Sequence, residues 1–274
     1  DTIEVPIEND LDPGGWELRK ALGLLAKSNG ALIEWLHSPI VYRANELFLD
    51  ELRSLAREYL SRRHLANHYR GMAYKVIGTG LKEAAPTGKA YLYALRATLS
   101  AHWVLDFGTP PPVAFVEMLD LLPGSVRADV DRLLVWKETG GEKESPGRMQ
   151  EIDDYLDECL RRLAAICDEM PDETPSKAPF NEVLHRWTLW PGLSQGMRLK
   201  REEFTLERVR ERDLLLFDAV SGSRSFGTHH AGSDTDLRGV FVAPDSFLTG
   251  LETIEQVSDE KSDEVYYEVG RFVS

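Results

Sequence analysis

DLLLFDAVSGSRSFGTHHAGSDTDLRGVFVA, residues 213–243, is the stretch on which the reading of this chain turns. Leu214–Val220 is an apolar run of strand length, Ser221-Gly222-Ser223 is a small-residue turn, and Asp234–Val242 has the make-up of a second strand. Asp234 and Asp236 stand two apart in that second strand, so both carboxylates project from one face. Two adjacent carboxylates repel each other unless a cation lies between them, and a divalent ion is the usual occupant. The Gly-Ser turn offers backbone N–H groups to a phosphate, the more so where a helix begins. A side chain at Gly222 would block that approach.

Each part alone is ordinary, since Gly-Ser turns are common and a lone Asp-x-Asp on a surface strand is usually solvated. The combination is more specific: strand, Gly-Ser turn, a second glycine at 227, then Ser233-Asp234-x-Asp236 entering another strand. It resembles the nucleotidyltransferases of the DNA polymerase β superfamily. The fuller string, GSRSFG followed by SDTDLRGVFVAP, is most similar to the RlaP family of nucleotidyltransferases, associated by name with RNA repair.

The resemblance implies an α+β fold, a small polymerase-β-like sheet with a mainly α-helical domain. It implies transfer of a nucleoside monophosphate from an NTP to an acceptor hydroxyl on RNA, protein or a small molecule. In that scheme Asp234 and Asp236 hold Mg²⁺ or Mn²⁺, Gly222 and Ser223 contact the phosphates, and Ser233 braces the loop. A third carboxylate from a neighbouring strand acts on the attacking hydroxyl. Asp263 is the first candidate, with Glu255 behind it. Asp12 or Glu4 serves instead if the N-terminal segment completes the sheet.

At 274 residues the chain is long enough for one or two domains with a sizeable core. Its 42% hydrophobic and 28% charged residues are ordinary for a soluble protein. No run approaches 18 apolar residues and no signal peptide opens the sequence, so a cytoplasmic protein without membrane spans is expected. Cys159 and Cys167 stand eight apart in one helical pattern, about 12 Å along a helix and too far for a disulfide. They read as core thiols, with no metal cluster. A net charge of −14 argues against broad nucleic-acid binding while leaving room for a local basic cleft.

The opening reads as a chain entered midway: DTIEVPI as a strand, Asp12-Pro13-Gly14-Gly15 as a turn, and WELRKALGLLAKS as a helix with Leu18, Leu22 and Leu25 on one face. ALIEWLHSPIVYR is a further helix ending near Ser38-Pro39. Residues 1–22 align without gaps onto 252–273. Thr2/Thr253, Ile3/Ile254, Glu4/Glu255, Asp12/Asp263 and Glu17/Glu268 are identical, and Trp16/Tyr267 is among the similar pairs. Shared strand–turn–helix physics explains some matches, whereas identity at polar positions favours common descent. The resemblance places the Gly-Ser and Asp-x-Asp core before such a segment and a helical region after it. The chain therefore carries the later part of one family-like unit followed by the start of another, whether by permutation, by fusion or as a fragment. The two copies then compete for one place in a sheet or lie side by side in it. A complete site requires the halves to join within one chain or in a homodimer.

From Glu46 to Ile166 the pattern is helical, with stripes at Phe48, Leu52, Leu55 and Tyr59 and then at Leu65, Tyr69, Met72 and Val76, the latter capped by Ser61. A third helix starts after Thr87 and stops before Gly108. One of its faces carries Leu92, Leu95 and Leu99; another carries Lys89, Tyr93 and Arg96, which would suit a triphosphate but reads more simply as side chains snorkelling at a solvated surface. The resemblance of KAYLYALRATL to the family's helical-region motif brings the triphosphate reading nearly level with the surface one. Prolines at 171, 175, 179 and 191 mark a linker around the apolar piece FNEVLHRWTLW. The expected organisation is thus a strand–turn–helix over 1–22, a helical domain over 23–167, a linker over 168–204 and the core segment over 205–274.

His229 and His230 read as solvated loop residues. Arg63 and His68 have the Arg-x4-His spacing of the ribonucleases that partner small nucleotidyltransferases, although His68 is more simply an edge-of-core residue. The rival to an active enzyme is a non-catalytic nucleotide-binding or regulatory remnant of such a toxin–antitoxin pair.

Overall fold

A computed structural model describes residues 11–138, 145–172, 175–188, 206–211, 214–229, 233, 235–242, 256–258 and 265–267. The chain begins there with strand β1 (Leu11–Glu17), helices α1 (Leu18–Ala26) and α2 (Gly30–Leu36) and strand β2 (Val41–Ala44). Helices α3 (Glu46–Glu58) and α4 (Arg62–Val76) follow, then a π-helical turn (Ile77–Leu81), α5 (Gly88–Phe107) and a 3-10 turn (Phe115–Leu121). Next come α6 (Gly124–Glu138), α7 (Gln150–Glu169), α8 (Ala178–Thr188) and α9 (Leu206–Glu211). Strand β3 (Leu215–Ser221), the helical turn α10 (Gly222–Ser225) and strands β4 (Thr235–Phe241), β5 (Gln256–Ser258) and β6 (Val265–Tyr267) complete the described elements. Helices dominate, and the strands form one mixed sheet.

Two compact units divide the chain. One draws on residues 1–60, 175–225 and 234–274, the other on 61–174 and 226–233. The first holds the sheet. Strands β2, β3 and β4 are antiparallel neighbours in that order, and β4 also pairs in parallel with β1 and with β6, the latter carrying β5 on its far side. β3 is buried along nearly its whole length, as its uninterrupted apolar run requires.

The turn expected over Asp12–Gly15 is instead the middle of β1. Its ladder with β4, from Leu11↔Thr235 to Glu17↔Phe241, supplies hydrogen bonds that override the local preference of Pro-Gly-Gly. The helix expected from Trp16 accordingly begins at Leu18, and Leu18, Leu22 and Leu25 are buried as their spacing requires. The strand read in DTIEVPI lies outside the described residues.

The unit boundary also differs from the sequence-based one. Helices α1 to α3 belong with the sheet, and the helical unit starts at Ser61 rather than at residue 23. Backbone bonds fix the α2–α3 segment to β3: Asn45 N–H donates to Leu216 O at 2.9 Å and Val220 N–H to Ile40 O at 3.0 Å. The hydroxyl of Ser38 donates to Val220 O at 2.7 Å. The stretch expected as a linker contains a docked helix. In α8, Phe180, Val183, Leu184 and Trp187 are buried within the sheet unit. Trp187 meets Phe48 edge-on at 5.0 Å and donates its indole N–H to Glu51 Oε2 at 2.6 Å.

The helical unit follows its local signals closely. Ser61 and Thr87 accept from the N–H groups of His64 and Ala90 at 3.3 and 3.2 Å, capping α4 and α5, and Gly108, at φ 70°, ends α5. Its core gathers Leu92, Leu95 and Leu99 with Phe115, Met118, Val130, Leu133 and Ile152. Cys159 and Cys167 are buried free thiols whose pKa burial pushes up. Among the described residues no helix is long and apolar enough to cross a membrane.

Docking of α8 depends on one large side chain. Trp187→Ala should therefore destabilise the sheet unit by about 3–5 kcal/mol in denaturant unfolding, the range for emptying a packed aromatic site. A loss under about 0.5 kcal/mol, ordinary for a surface change, would return the segment to a linker.

Candidate functional site

β3 carries the chain up to Ser221, which lies opposite Asp236 on β4. The chain then turns at Gly222, with φ +68°, a conformation that side-chain-bearing residues rarely adopt. The Asp236 carboxylate lies against this turn. A Cβ on Gly222 would collide with Asp236 Oδ2 and stand 3.0 Å from its Cγ. Strand pairing and a bare glycine therefore bring a carboxylate onto the turn's backbone. Ser225 closes the turn, its hydroxyl donating to Gly222 O at 3.0 Å, and Ser223 and Ser225 are both buried.

Asp236 is not isolated. Arg238, two residues on and hence on the same face, donates from Nη2 to Asp236 Oδ1 at 3.1 Å. The two side chains retain 24% and 20% of their exposure, so the pair is half-buried. Sequence reasoning missed Arg238, although its alternation with Asp236 was visible.

β1 adds a second acidic position. Its parallel register sets Asp12 opposite Asp236. Of the sequence candidates for the third carboxylate, Asp12 is the one within the described residues. Asp263, Glu255 and Glu4 lie outside them, as do Asp234 and His230. Among the described residues no three His, Cys, Asp or Glu side chains are gathered as a metal cluster. Asp236 is a half-buried carboxylate, a donor type that suits a divalent cation, seated where any larger residue at 222 would intrude.

The other sequence candidates fall as follows. Ser233 is buried just before β4. Lys89 is exposed, with its Nζ 5.8 Å from the half-buried ring of Tyr93. Arg96 is buried, its guanidinium 3.5 Å from the centre of the Phe226 ring. Phe226 O in turn accepts from Phe115 N–H at 3.0 Å, so this stacking belongs to the helical unit. His229 is exposed. Arg63 pairs with Asp172 at 3.9 Å, while His68 is half-buried edge-on to Tyr69 at 5.6 Å.

A further carboxylate lies on the opposite side of β3. Asp218 is buried and faces Gly239 and Arg43 across its strand neighbours. Gly239 allows that approach, since a Cβ there would come within 2.9 Å of Asp218 Cβ. Burial pushes the Asp218 carboxyl up to about 6, opposed by the charges of Arg210 and Arg43 and by an Arg43 backbone hydrogen bond. Its Oδ1 meets no donor among the described residues. A charge within the apolar run LLLFDAV was the signal that could have singled it out.

The raised value gives a definite sign to the pH dependence of stability. The folded state holds this proton more tightly than the unfolded state, so the penalty is absent below about pH 4. It grows as pH climbs to about 6 and persists above. Asp218→Asn should raise stability by on the order of 2–3 kcal/mol at pH 8, since each tenfold difference in proton affinity between the two states corresponds to ~1.4 kcal/mol. The gain should vanish near pH 4. Melting curves across that range check it, and a pH-independent difference would contradict it.

Residues 1–186 and 199–274 match the family described as RlaP, an RNA repair pathway DNA polymerase beta family. The uncharacterised protein YcgL of Bacillus subtilis strain 168 is 34% identical over 175 residues, which span 63% of this chain and 67% of YcgL. No solved structure matches. A turn that seats a carboxylate from the next strand, within a sequence matched over nearly all its length, leads to one assignment: the chain belongs to the RlaP family.

Proposed function

We propose that the chain is a metal-dependent nucleotidyltransferase built on a polymerase-β-like sheet, transferring a nucleoside monophosphate from an NTP to a hydroxyl acceptor. The observation that carries this reading is the Asp236 carboxylate lying on the Gly222 backbone. That arrangement brings an anionic metal ligand and a glycine turn suited to phosphate to one place.

Gly222 and Ser223 hold the phosphates, and Ser233 braces the strand entry. Asp236 and, by its place in the Asp-x-Asp motif, Asp234 hold Mg²⁺ or Mn²⁺. A divalent cation held by these carboxylates would supply positive charge against the charge that develops on the triphosphate during in-line displacement. Arg238 orients the Asp236 carboxylate through their 3.1 Å bond. The acceptor oxygen forms a bond to the α-phosphorus, the bond to the β-phosphate oxygen breaks, and pyrophosphate leaves. The acceptor's proton passes to a carboxylate of the neighbouring strand, and Asp12, registered opposite Asp236, is suited to receive it. The acceptor is an RNA, a protein or a small molecule.

The test is incubation with α-labelled NTPs, Mn²⁺ or Mg²⁺ and each acceptor class, reading label transfer and pyrophosphate. Asp236→Asn should lower turnover at least about 100-fold, as expected when electrostatic stabilisation of a transition state is removed. NTP with Mn²⁺ should also raise the melting temperature of the unsubstituted protein and not of this variant. A melting shift without pyrophosphate release would make the chain a non-catalytic nucleotide-binding protein. No difference between the two proteins would sink the site.

A further inference from the structure

Helix α4 does not end on a cap but widens into the π-helical turn Ile77–Leu81. Gly78 and Gly80 weaken the regular helix there, and the Thr79 hydroxyl donates back to Lys75 O at 2.8 Å. Such turns recur at functional sites. This one forms a wall of a cavity of about 420 Å³ whose other wall is α7, and every lining residue belongs to the helical unit. That volume is within the range of small-molecule sites.

The two walls are tied together. Arg148 donates from Nη1 to Leu81 O and pairs through Nε with Asp153 Oδ2 on α7 at 3.2 Å. The Tyr91 hydroxyl donates to the same carboxylate oxygen at 3.3 Å and accepts from Met149 N–H at 3.1 Å. The cavity is thus shaped before any ligand arrives, which lowers the cost of binding.

Its lining sorts by chemistry. Ile77 and Leu160 supply apolar surface, and Tyr74 beside them is 48% exposed. Lys82 and Arg161 are exposed cations with no ion-pair partner among the described residues. Arg161 uses its Nε on Asp157 O of its own helix, at 3.2 Å, which leaves its terminal nitrogens for another acceptor. In a chain with 46 acidic and 32 basic residues, two cations left unpaired at one cavity run against composition. Asp157 adds one carboxylate acceptor.

We propose that this cavity binds a nucleoside monophosphate, with the base on the Tyr74 ring, the phosphate shared by Lys82 and Arg161, and a sugar hydroxyl donating to Asp157. Phosphate alone would leave the ring and the apolar surface unused, and an uncharged ring would leave both cations without an anion. A ring and a phosphate in one molecule use both. The unit comes either as a free nucleotide or as the end of an RNA strand. Binding requires no divalent metal and no residue of the sheet unit, so it stands apart from the proposed transfer reaction.

Equilibrium dialysis of the full chain against labelled AMP in EDTA tests this without reading metal-dependent binding. AMP should saturate one site with a Kd of about 1 mM or tighter. Adenosine and inorganic phosphate, each half of the ligand, should bind at least about tenfold more weakly, as should AMP to Lys82→Ala or Arg161→Ala. Tyr74→Ala should cost about fivefold or more, and Tyr74→Phe should restore binding. Gly78→Leu is the blocking variant. A Cβ at Gly78 would meet no atom within 4 Å, so the new side chain has room to enter the open space and the fold is kept. It should abolish AMP binding without lowering the melting temperature. A short RNA strand ending in a phosphate separates the sources: at least about tenfold tighter binding than AMP assigns the site to a strand end, and parity or weaker binding assigns it to the free nucleotide. Absence of saturation would overturn the proposal, as would binding retained in Gly78→Leu or in the Lys82→Ala, Arg161→Ala double variant. Asp236→Asn should bind AMP unchanged. Loss in that variant would move AMP to the turn at Gly222 and overturn the inference, whereas failure of label transfer alone would leave it standing.

Discussion

The contact between the Asp236 carboxylate and the bare backbone of Gly222 constrains everything around it. It exists only if Ser221 and Asp236 are opposite each other, because a slip of one residue would turn Asp236 to the other face of the sheet. That register is held from below. A bulge between Leu215 and Phe217 adjusts β3 against β4, and the absence of a side chain at Gly239 lets the strands approach where Asp218 sits. The glycine at 222 provides the conformation and the one at 239 provides the spacing.

The sheet thereby keeps carboxylates on both faces under opposite conditions. Asp236 is partly open to water and paired with Arg238, so its charge is easily held. Asp218, three positions before Ser221 and thus on the opposite face, is buried and has an oxygen with no donor among the described residues. Burying a carboxylate is costly unless it is paired or protonated, and its upward shift is the expected response. The nearby Arg43 and Arg210 limit that shift without abolishing it.

What is legible in the sequence depends on whether the deciding interaction is local. The ends of α5 are legible because Thr87 and Gly108 act within a few residues of themselves. So are β3, the Gly-Ser turn and the face of Asp236. Asp12–Gly15 reads as a turn because Pro-Gly-Gly is a turn signal, and only a partner strand more than 200 residues away makes it a strand. α8 reads as linker for a similar reason, since Trp187 gains its place from Phe48 and Glu51, the latter 136 residues earlier. Arg96 looks like an outward cation on an amphipathic helix, and Phe226, arriving from far along the chain, covers it. The pairing of Asp236 with Arg238 is within reach, since alternation puts them on one face, but no spacing rule distinguishes that pair from a solvated one.

The matches within the repeat differ in weight by position. Those at apolar places say little about descent, because any strand that packs against β4 needs apolar residues there. An aspartate is different, since packing gives no reason to place a carboxylate in a strand. The first copy has Asp12 at the register position facing Asp236, and the aligned residue of the second copy is Asp263. Identity therefore falls where a charge is unfavourable for folding. That coincidence supports common descent more strongly than the longer row of similar apolar residues around it.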